Sequence, residues 1–280
     1  MAKIAFFGLG MMGGAMAACL AKAGHELLVK DANASVENEF AIKHGGKGIN
    51  DNEKLEVDWV IMMLPNSSIV EDVILKHVDL ISDSAVVIDM SSSEPLKTRE
   101  LAEKLARQNI QMLDAPVSGG KVRAMSGNLS IMVGGEEEQY KLAKPVLDVM
   151  GESVLVGSIG AGHALKALNN YVSAAGLLAV VEALHVGEKF GLDPEIMTDV
   201  INNSTGQNNT TKNKVKQYML SGNFDSAFSL GLMAKDLGIA VDLAEKMDEP
   251  MLLGHTCHDV WKGANEISPG ADHTEMYRIV

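Results

Sequence analysis

Short, almost wholly apolar runs punctuate the first half of the chain, separated by stretches of helical periodicity. Residues 3–7 (KIAFF) and 26–30 (ELLVK) read as strands, the second bounded by Gly24-His25 and by Asp31-Ala32-Asn33. Residues 57–64 (VDWVIMML) and 85–89 (AVVID) lack polar alternation, which predicts strands covered on both faces. Shorter runs at 111–113, 129–133 and 154–156 extend the series, and residues 11–23 predict a helix rich in Ala, Met and Leu. Strands separated by helical stretches imply right-handed crossovers and a mostly parallel sheet.

Beyond about residue 160 the pattern changes. Residues 163–190 form one long helical pattern, apolar around much of its circumference, and 194–203, 211–221, 233–246 and 250–265 also read as helices. None has the β-branched density of the first half. The expected fold is therefore α/β: a dinucleotide-binding-type α/β domain over residues 1–161, then an all-α domain over 162–280, with a long inter-domain helix from about 163. Residues 268–280 carry no clear pattern.

Composition narrows the partners. Hydrophobic residues make up 46% and charged residues 22%, enough apolar material for a globular core. The net charge of −13 sets the surface against phosphate backbones, so nucleic acid is not expected as a partner. Cys19 and Cys257 are the only cysteines, too few for a disulfide scaffold, and a reducing cytoplasm is the expected location. Residues 4–20 carry no charge and follow Lys3, and Ala15-Met16-Ala17 has the look of a cleavage site. Gly8, Gly10, Gly13 and Gly14 interrupt that run, and 17 residues is short for a span. Export and membrane insertion are not expected, and no other segment is read as approaching a bilayer span.

Gly8-Leu9-Gly10-Met11-Met12-Gly13 matches G-x-G-x-x-G between a five-residue apolar strand and a helix. In that context the first glycine permits a tight turn, the second lets a pyrophosphate approach the backbone, and the third lets the helix pack on the strand. The phosphates would meet backbone N–H groups at the positive helix end. Asp31 ends the second strand 18 residues beyond Gly13, close to the ~20 residues typical of a carboxylate on the adenosine ribose. A carboxylate there favours NAD over NADP. Asp31 could instead only cap the next turn, and Lys30 keeps NADP in view.

Three further segments stand out: Asp114-Ala115-Pro116-Val117-Ser118-Gly119-Gly120, Gly162-His163-Ala164-Leu165-Lys166-Ala167-Leu168-Asn169-Asn170, and Lys235-Asp236-Leu237-Gly238. Ser118-Gly119-Gly120 offers a hydroxyl and open N–H groups suited to a carboxylate, and is equally good turn chemistry. Lys166 and Asn170 are i and i+4, on one helical face, and a lysine among Ala164, Leu165, Ala167 and Leu168 is unusual for a solvated face. Desolvation lowers a lysine pKa and lets it exchange protons near neutrality; a snorkelling lysine beside a surface amide is the plainer alternative.

With Gly8–Met16 and Met63-Leu64-Pro65-Asn66, these segments together resemble the β-hydroxyacid dehydrogenase family, which includes 3-hydroxyisobutyrate dehydrogenase and tartronate semialdehyde reductase. The resemblance runs over essentially the whole chain, in order. It implies Lys166 as general acid/base, Asn170 positioning substrate, and Ser118, Gly119 and Gly120 holding the substrate carboxylate. It further implies that Leu64, Pro65, Ser91 and Ser92 flank the cofactor, that Lys235 reaches the nicotinamide side, and that Asp236 helps hold the site. Many members have Thr where Ser92 stands. Lys121 and Arg123 depart from the small or apolar residues usual in 3-hydroxyisobutyrate enzymes. Either they recognise a second anionic group on the substrate or they are solvated on the loop.

The expected function is then an NAD-dependent oxidoreductase interconverting a small 3-hydroxy acid and its semialdehyde, as a homodimer or homotetramer. A reductase of tartronate, succinic or sulfonated semialdehyde is the alternative within the class, and a catalytically silent dinucleotide-binding module the alternative outside it. No metal is needed; His255, Cys257, His258 and Asp259 lack a second ligand group and are read as structural, as is His163.

Overall fold

The computed structural model describes residues 1–82 and 84–280, which separate into two compact units, Met1–Lys166 and Ala167–Val280. In the first unit the strands are β1 (Lys3–Phe7), β2 (Glu26–Lys30), β3 (Lys47–Gly48), β4 (Trp59–Met62), β5 (Val86–Asp89), β6 (Gln111–Asp114), β7 (Val117–Ser118), β8 (Leu129–Gly134) and β9 (Gly151–Gly157). They alternate with helices α1 (Gly13–Lys22), α2 (Ala34–His44), α3 (Ser67–His77), α4 (Pro95–Ala106), α5 (Gly120–Met125) and α6 (Glu137–Leu147).

Strands β3-β2-β1-β4-β5-β6 lie side by side, all parallel. This is the order of a doubly wound dinucleotide fold, with the reversal of winding between β1 and β4. Beyond β6 the sheet turns mixed: β8 runs antiparallel to β6 and β7 and parallel to β9. Successive residues of one strand feed opposite cores, as the two-residue repeat requires. Ile4, Phe6, Ile61 and Ile88 pack on one face of the sheet; Ala5, Phe7, Val60, Met62 and Val87 pack on the other. That is why these runs show no polar alternation. No pattern in the chain marks β3 and β7, whose two residues each pair along the edges of the longer β2 and β8.

The helix α7 (Ala161–Phe190) begins in the first unit and continues through the second. By length and composition it could cross a bilayer, which corrects the reading that no segment beyond the N-terminal run comes close. Its apolarity has a local cause: Ala174, Leu177, Val181 and Leu184, spaced three and four apart, face the core of the second unit. There they meet Leu230, Met233 and Leu237 of α10 (Leu230–Lys246) and Cys257 and Trp261 of α11 (Leu252–Ile267). The remaining helices of this unit are α8 (Pro194–Asn202), α9 (Asn209–Asn213) and the C-terminal α12 (Met276–Ile279).

The helix expected over 211–221 is broken. The α9 helix stops at Lys214, whose carbonyl accepts from both Tyr218 and Met219 N–H, and a π-helical turn runs over Val215–Leu220. The tail beyond 268 is ordered by side chains that no local pattern reveals. Asp272 accepts from Ser226 Oγ at 2.8 Å and from Thr274 N at 2.9 Å, and Ser226 Oγ also lies 2.9 Å from His273 Nδ1. Burial holds His273 neutral well below its ordinary range, at about 4, with the nearby Lys214 charge acting the same way.

Candidate active site

In the first unit the chemistry-bearing segments leave the carboxyl ends of neighbouring parallel strands. The glycine loop follows β1, Asp31 follows β2, Leu64-Pro65 follows β4, Ser91-Ser92 follows β5, and Ser118 lies just beyond β6. In open α/β sheets this edge, at the reversal of winding, is where ligands bind.

The glycine loop is shaped by its own backbone. Gly8 has φ +94°, and a side chain there would overlap the Met63 carbonyl. A Cβ on Gly13 would overlap the Gly8 carbonyl. Gly10 differs: among the described residues, nothing beyond its own chain neighbours lies within 4 Å of where its Cβ would stand. The third position therefore needs glycine for helix packing, while the second keeps space clear outside the protein. Helix α1 has no side-chain cap and no acid in its first turn, so its N-terminal N–H groups suit an anion. These are the features a dinucleotide pyrophosphate requires, and the residues fit it.

Asp31 both caps and braces. Its carboxylate accepts from Leu9 N at 2.7 Å and from Asn33 N at 2.9 Å, so it ties the glycine loop to the following turn. A carboxylate has further lone pairs for ribose hydroxyls. Lys30 is engaged elsewhere: its ammonium sits 3.0 Å from Asp51, whose carboxyl Lys76, Lys30 and His77 hold well below the usual carboxylate range. The flank is braced as well, since buried Ser91 accepts at Oγ from Leu64 N at 2.9 Å.

Ser118 is half-buried, and Gly119 and Gly120 are exposed with φ +138° and +66°. Arg123 is exposed, but its aliphatic stem folds onto this loop: a Cβ on Gly119 would lie 2.8 Å from Arg123 Cδ. Lys121 is exposed. Lys166, the last residue of this unit, is only 8% exposed, although its neighbours Leu165 and Leu168 are open at 41% and 39%. It is a buried lysine in a turn whose leucines face out, the reverse of a snorkelling arrangement.

In the second unit Asn170, one turn further along α7 on the same face, is 6% exposed and donates from Nδ2 to Asp236 Oδ2 at 2.6 Å. Asp236 is itself 3% exposed, so it is no surface charge; Lys235 lies 4.0 Å from it. His255 lies 3.8 Å from Glu245. His163, in the first unit, is fully buried between Asp89, Asp114 and Thr98. Asp114 stands in one of the motifs without a role, and the sequence assigns none to Asp89 or Thr98. What joins them to His163 and to the start of α7 lies 46 to 74 residues away along the chain, beyond the reach of any local signal.

The strand order, the glycine loop and the buried lysine define a dinucleotide-dependent oxidoreductase. Residues 3–160 match the family described as the NAD binding domain of 6-phosphogluconate dehydrogenase, and residues 160–280 the one described as NAD-binding of NADP-dependent 3-hydroxyisobutyrate dehydrogenase. The 2-(hydroxymethyl)glutarate dehydrogenase of Eubacterium barkeri is 34% identical over 279 residues, covering 96% of this chain and 91% of its own. The 3-sulfolactaldehyde reductase of Escherichia coli is 33% identical over 275 residues, covering 96% and 92%. A solved structure of Mycobacterium tuberculosis 3-hydroxyisobutyrate dehydrogenase with L-serine superposes with a TM-score of 0.94 at 31% identity, covering 100% of this chain and 99% of that one. The chain belongs to the β-hydroxyacid dehydrogenase family.

Proposed function

We propose that this protein is an NAD-dependent oxidoreductase interconverting a small 3-hydroxy acid and its semialdehyde. The observation that carries the reading is Lys166, buried on α7 one turn before the equally buried Asn170. When bound, the nicotinamide supplies the hydride acceptor in oxidation and the hydride donor in reduction. Lys166 takes the substrate hydroxyl proton at Nζ during oxidation and returns it during reduction. Ser118 Oγ and the N–H groups of Gly119 and Gly120 receive the substrate carboxylate. Asn170, oriented by its bond to Asp236, aligns the hydroxyl-bearing carbon, and Lys235 serves the nicotinamide side.

The absorbance of the reduced nicotinamide band tests this across 3-hydroxyisobutyrate, serine, glycerate, threonate, 4-hydroxybutyrate and the matching semialdehydes. Turnover of at least one 3-hydroxy acid or its semialdehyde is the expected result. Silence across the panel in protein that binds the dinucleotide would move the reading to a non-catalytic module. A second anionic group on the substrate is favoured by the way Arg123 folds over Gly119, and relatives that act on a substituted glutarate and on a sulfonated aldehyde support including such compounds.

The preference for NAD rests on Asp31 and on the engagement of Lys30 by Asp51. Asp31→Ala is expected to weaken NAD binding by about tenfold, roughly the 1.4 kcal/mol of one lost charge-assisted contact, and to weaken NADP less. Equal losses for both would remove the argument. Homo-oligomerisation is proposed from the exposed apolar side chains of the second unit, Val172, Val186, Phe190, Ile196 and Val200.

A further inference from the structure

We infer that the buried cluster of Asp89, Thr98, Asp114 and His163 is a positioning device that holds Lys166 in register with the substrate-carboxylate loop. The inference rests on the proton-transfer reading of Lys166 given above.

Asp89 and Asp114 end adjacent strands and stand directly opposite each other in the β5–β6 register. They are 1% and 0% exposed, and burying two carboxylates side by side is costly unless each is fully hydrogen-bonded. Here each is. Asp89 accepts from Ser91 N at 2.9 Å and from Ser93 Oγ at 2.7 Å. Asp114 accepts from the N–H groups of Gly160 and His163, both at 2.7 Å. It thereby caps the first turn of α7 from a strand 46 residues away, doing across the fold what an N-cap side chain does locally. The backbone makes room for it: a Cβ on Gly162 would stand 2.8 Å from Asp114 Oδ2.

The His163 ring closes the cluster. Nδ1 lies 2.9 Å from Thr98 Oγ1 on α4 and 3.6 Å from Asp114. Nε2 lies 3.7 Å from Asp89 Oδ2, too far for a hydrogen bond, and has no hydrogen-bond partner among the described residues. A buried imidazole with an unmet nitrogen between two buried carboxylates is a poor way to gain stability. Its value lies in where it sits. Asp89 leads directly into Ser91-Ser92, Asp114 leads through Ala115-Pro116 into Ser118, and His163 precedes Lys166 by three residues. Cofactor flank, carboxylate loop and proton-carrying helix turn are thus fastened at one buried point. Proton and hydride transfer need reacting groups placed to within a fraction of an ångström, and a displacement near 1 Å costs on the order of 10²-fold.

The test compares His163→Leu, which removes the Thr98 contact, with His163→Asn, whose amide can stand where Nδ1 does. Both are measured against wild type and Lys166→Ala in the dinucleotide-loaded enzyme. His163→Leu should lower kcat per dinucleotide-binding site by roughly tenfold or more and raise the primary isotope effect with deuterated reduced cofactor. Faster exchange of the backbone amides at positions 160 and 163 in the cofactor-free variant should accompany it. His163→Asn should recover kcat to within about threefold of wild type. A merely structural role would lower the melting temperature and the fraction of active sites, but leave kcat per site and the isotope effect unmoved; that result overturns the inference. If Lys166→Ala keeps its turnover, the proton-transfer reading falls and takes the positioning device with it. An inactive Lys166→Ala beside a fully active His163→Leu overturns the positioning device alone.

Discussion

Lys166→Ala is expected to cut kcat by ~10²–10⁴-fold, the usual contribution of a placed general acid/base, while NAD affinity stays within about twofold. The substitution is mild for the fold. Alanine is the best helix former, and α7 already carries alanines at 164 and 167. Loss of turnover can therefore be separated from loss of structure by circular dichroism and dinucleotide titration on the same sample. Lys166→Arg sharpens the result. Arginine keeps the positive charge but does not deprotonate at any working pH, so a lysine that exchanges a proton is not replaced by it, whereas one that only attracts the carboxylate is. Activity within tenfold of wild type in the alanine variant would remove Lys166 from the chemistry.

The second large effect is a contrast between two glycines three residues apart. Gly13→Ala sets a methyl group into the Gly8 carbonyl, a backbone-on-backbone clash that no rotamer relieves. Overpacking of this kind costs about 1–3 kcal/mol, so a fall in Tm on the order of 5 °C and loss of dinucleotide binding should occur together. Gly10→Ala meets no atom of the described residues within 4 Å beyond its own chain neighbours, and Tm should hold or rise slightly, since alanine restricts the unfolded chain more than glycine does. Binding should nevertheless fall by about tenfold or more, because the new methyl occupies the approach of the pyrophosphate. Thermal melts with and without NAD, run on both variants, read the two effects independently. Unchanged NAD affinity in Gly10→Ala would mean that the phosphates lie elsewhere.

Local features carried most of what the sequence could disclose. Strands β4 and β5 announced themselves as apolar runs because both faces of each are buried, as Ile61 on one side and Val60 and Met62 on the other show. The glycine loop was readable because Gly8, Gly10 and Gly13 fall within six residues, between a strand and a helix. Lys166 and Asn170 stood out by helical spacing and by the lysine's apolar neighbours, while their roles came from the family resemblance. What stayed hidden depends on partners far along the chain. Asn170 meets Asp236 across 66 residues, and Asp114 caps α7 across 46 and 49. The break at Lys214 arises where the chain leaves α9 for a wider turn, and no proline or glycine marks it. The two-residue strands have too little sequence to show a period.

The single unbroken helix from Ala161 to Phe190 bears on how this protein can vary. Four residues along an α-helix advance ~6 Å and return to within ~40° of the starting direction. The spacing of Lys166 and Asn170 is thus fixed by a residue count, like the pitch of a screw thread. Loops such as the one after α2 can lengthen or shorten without disturbing it. A single residue inserted between 166 and 170 would instead leave the two side chains ~140° apart, on different faces of the helix, however conservative the inserted residue. Substitution is a change that this stretch can absorb; an inserted residue is not.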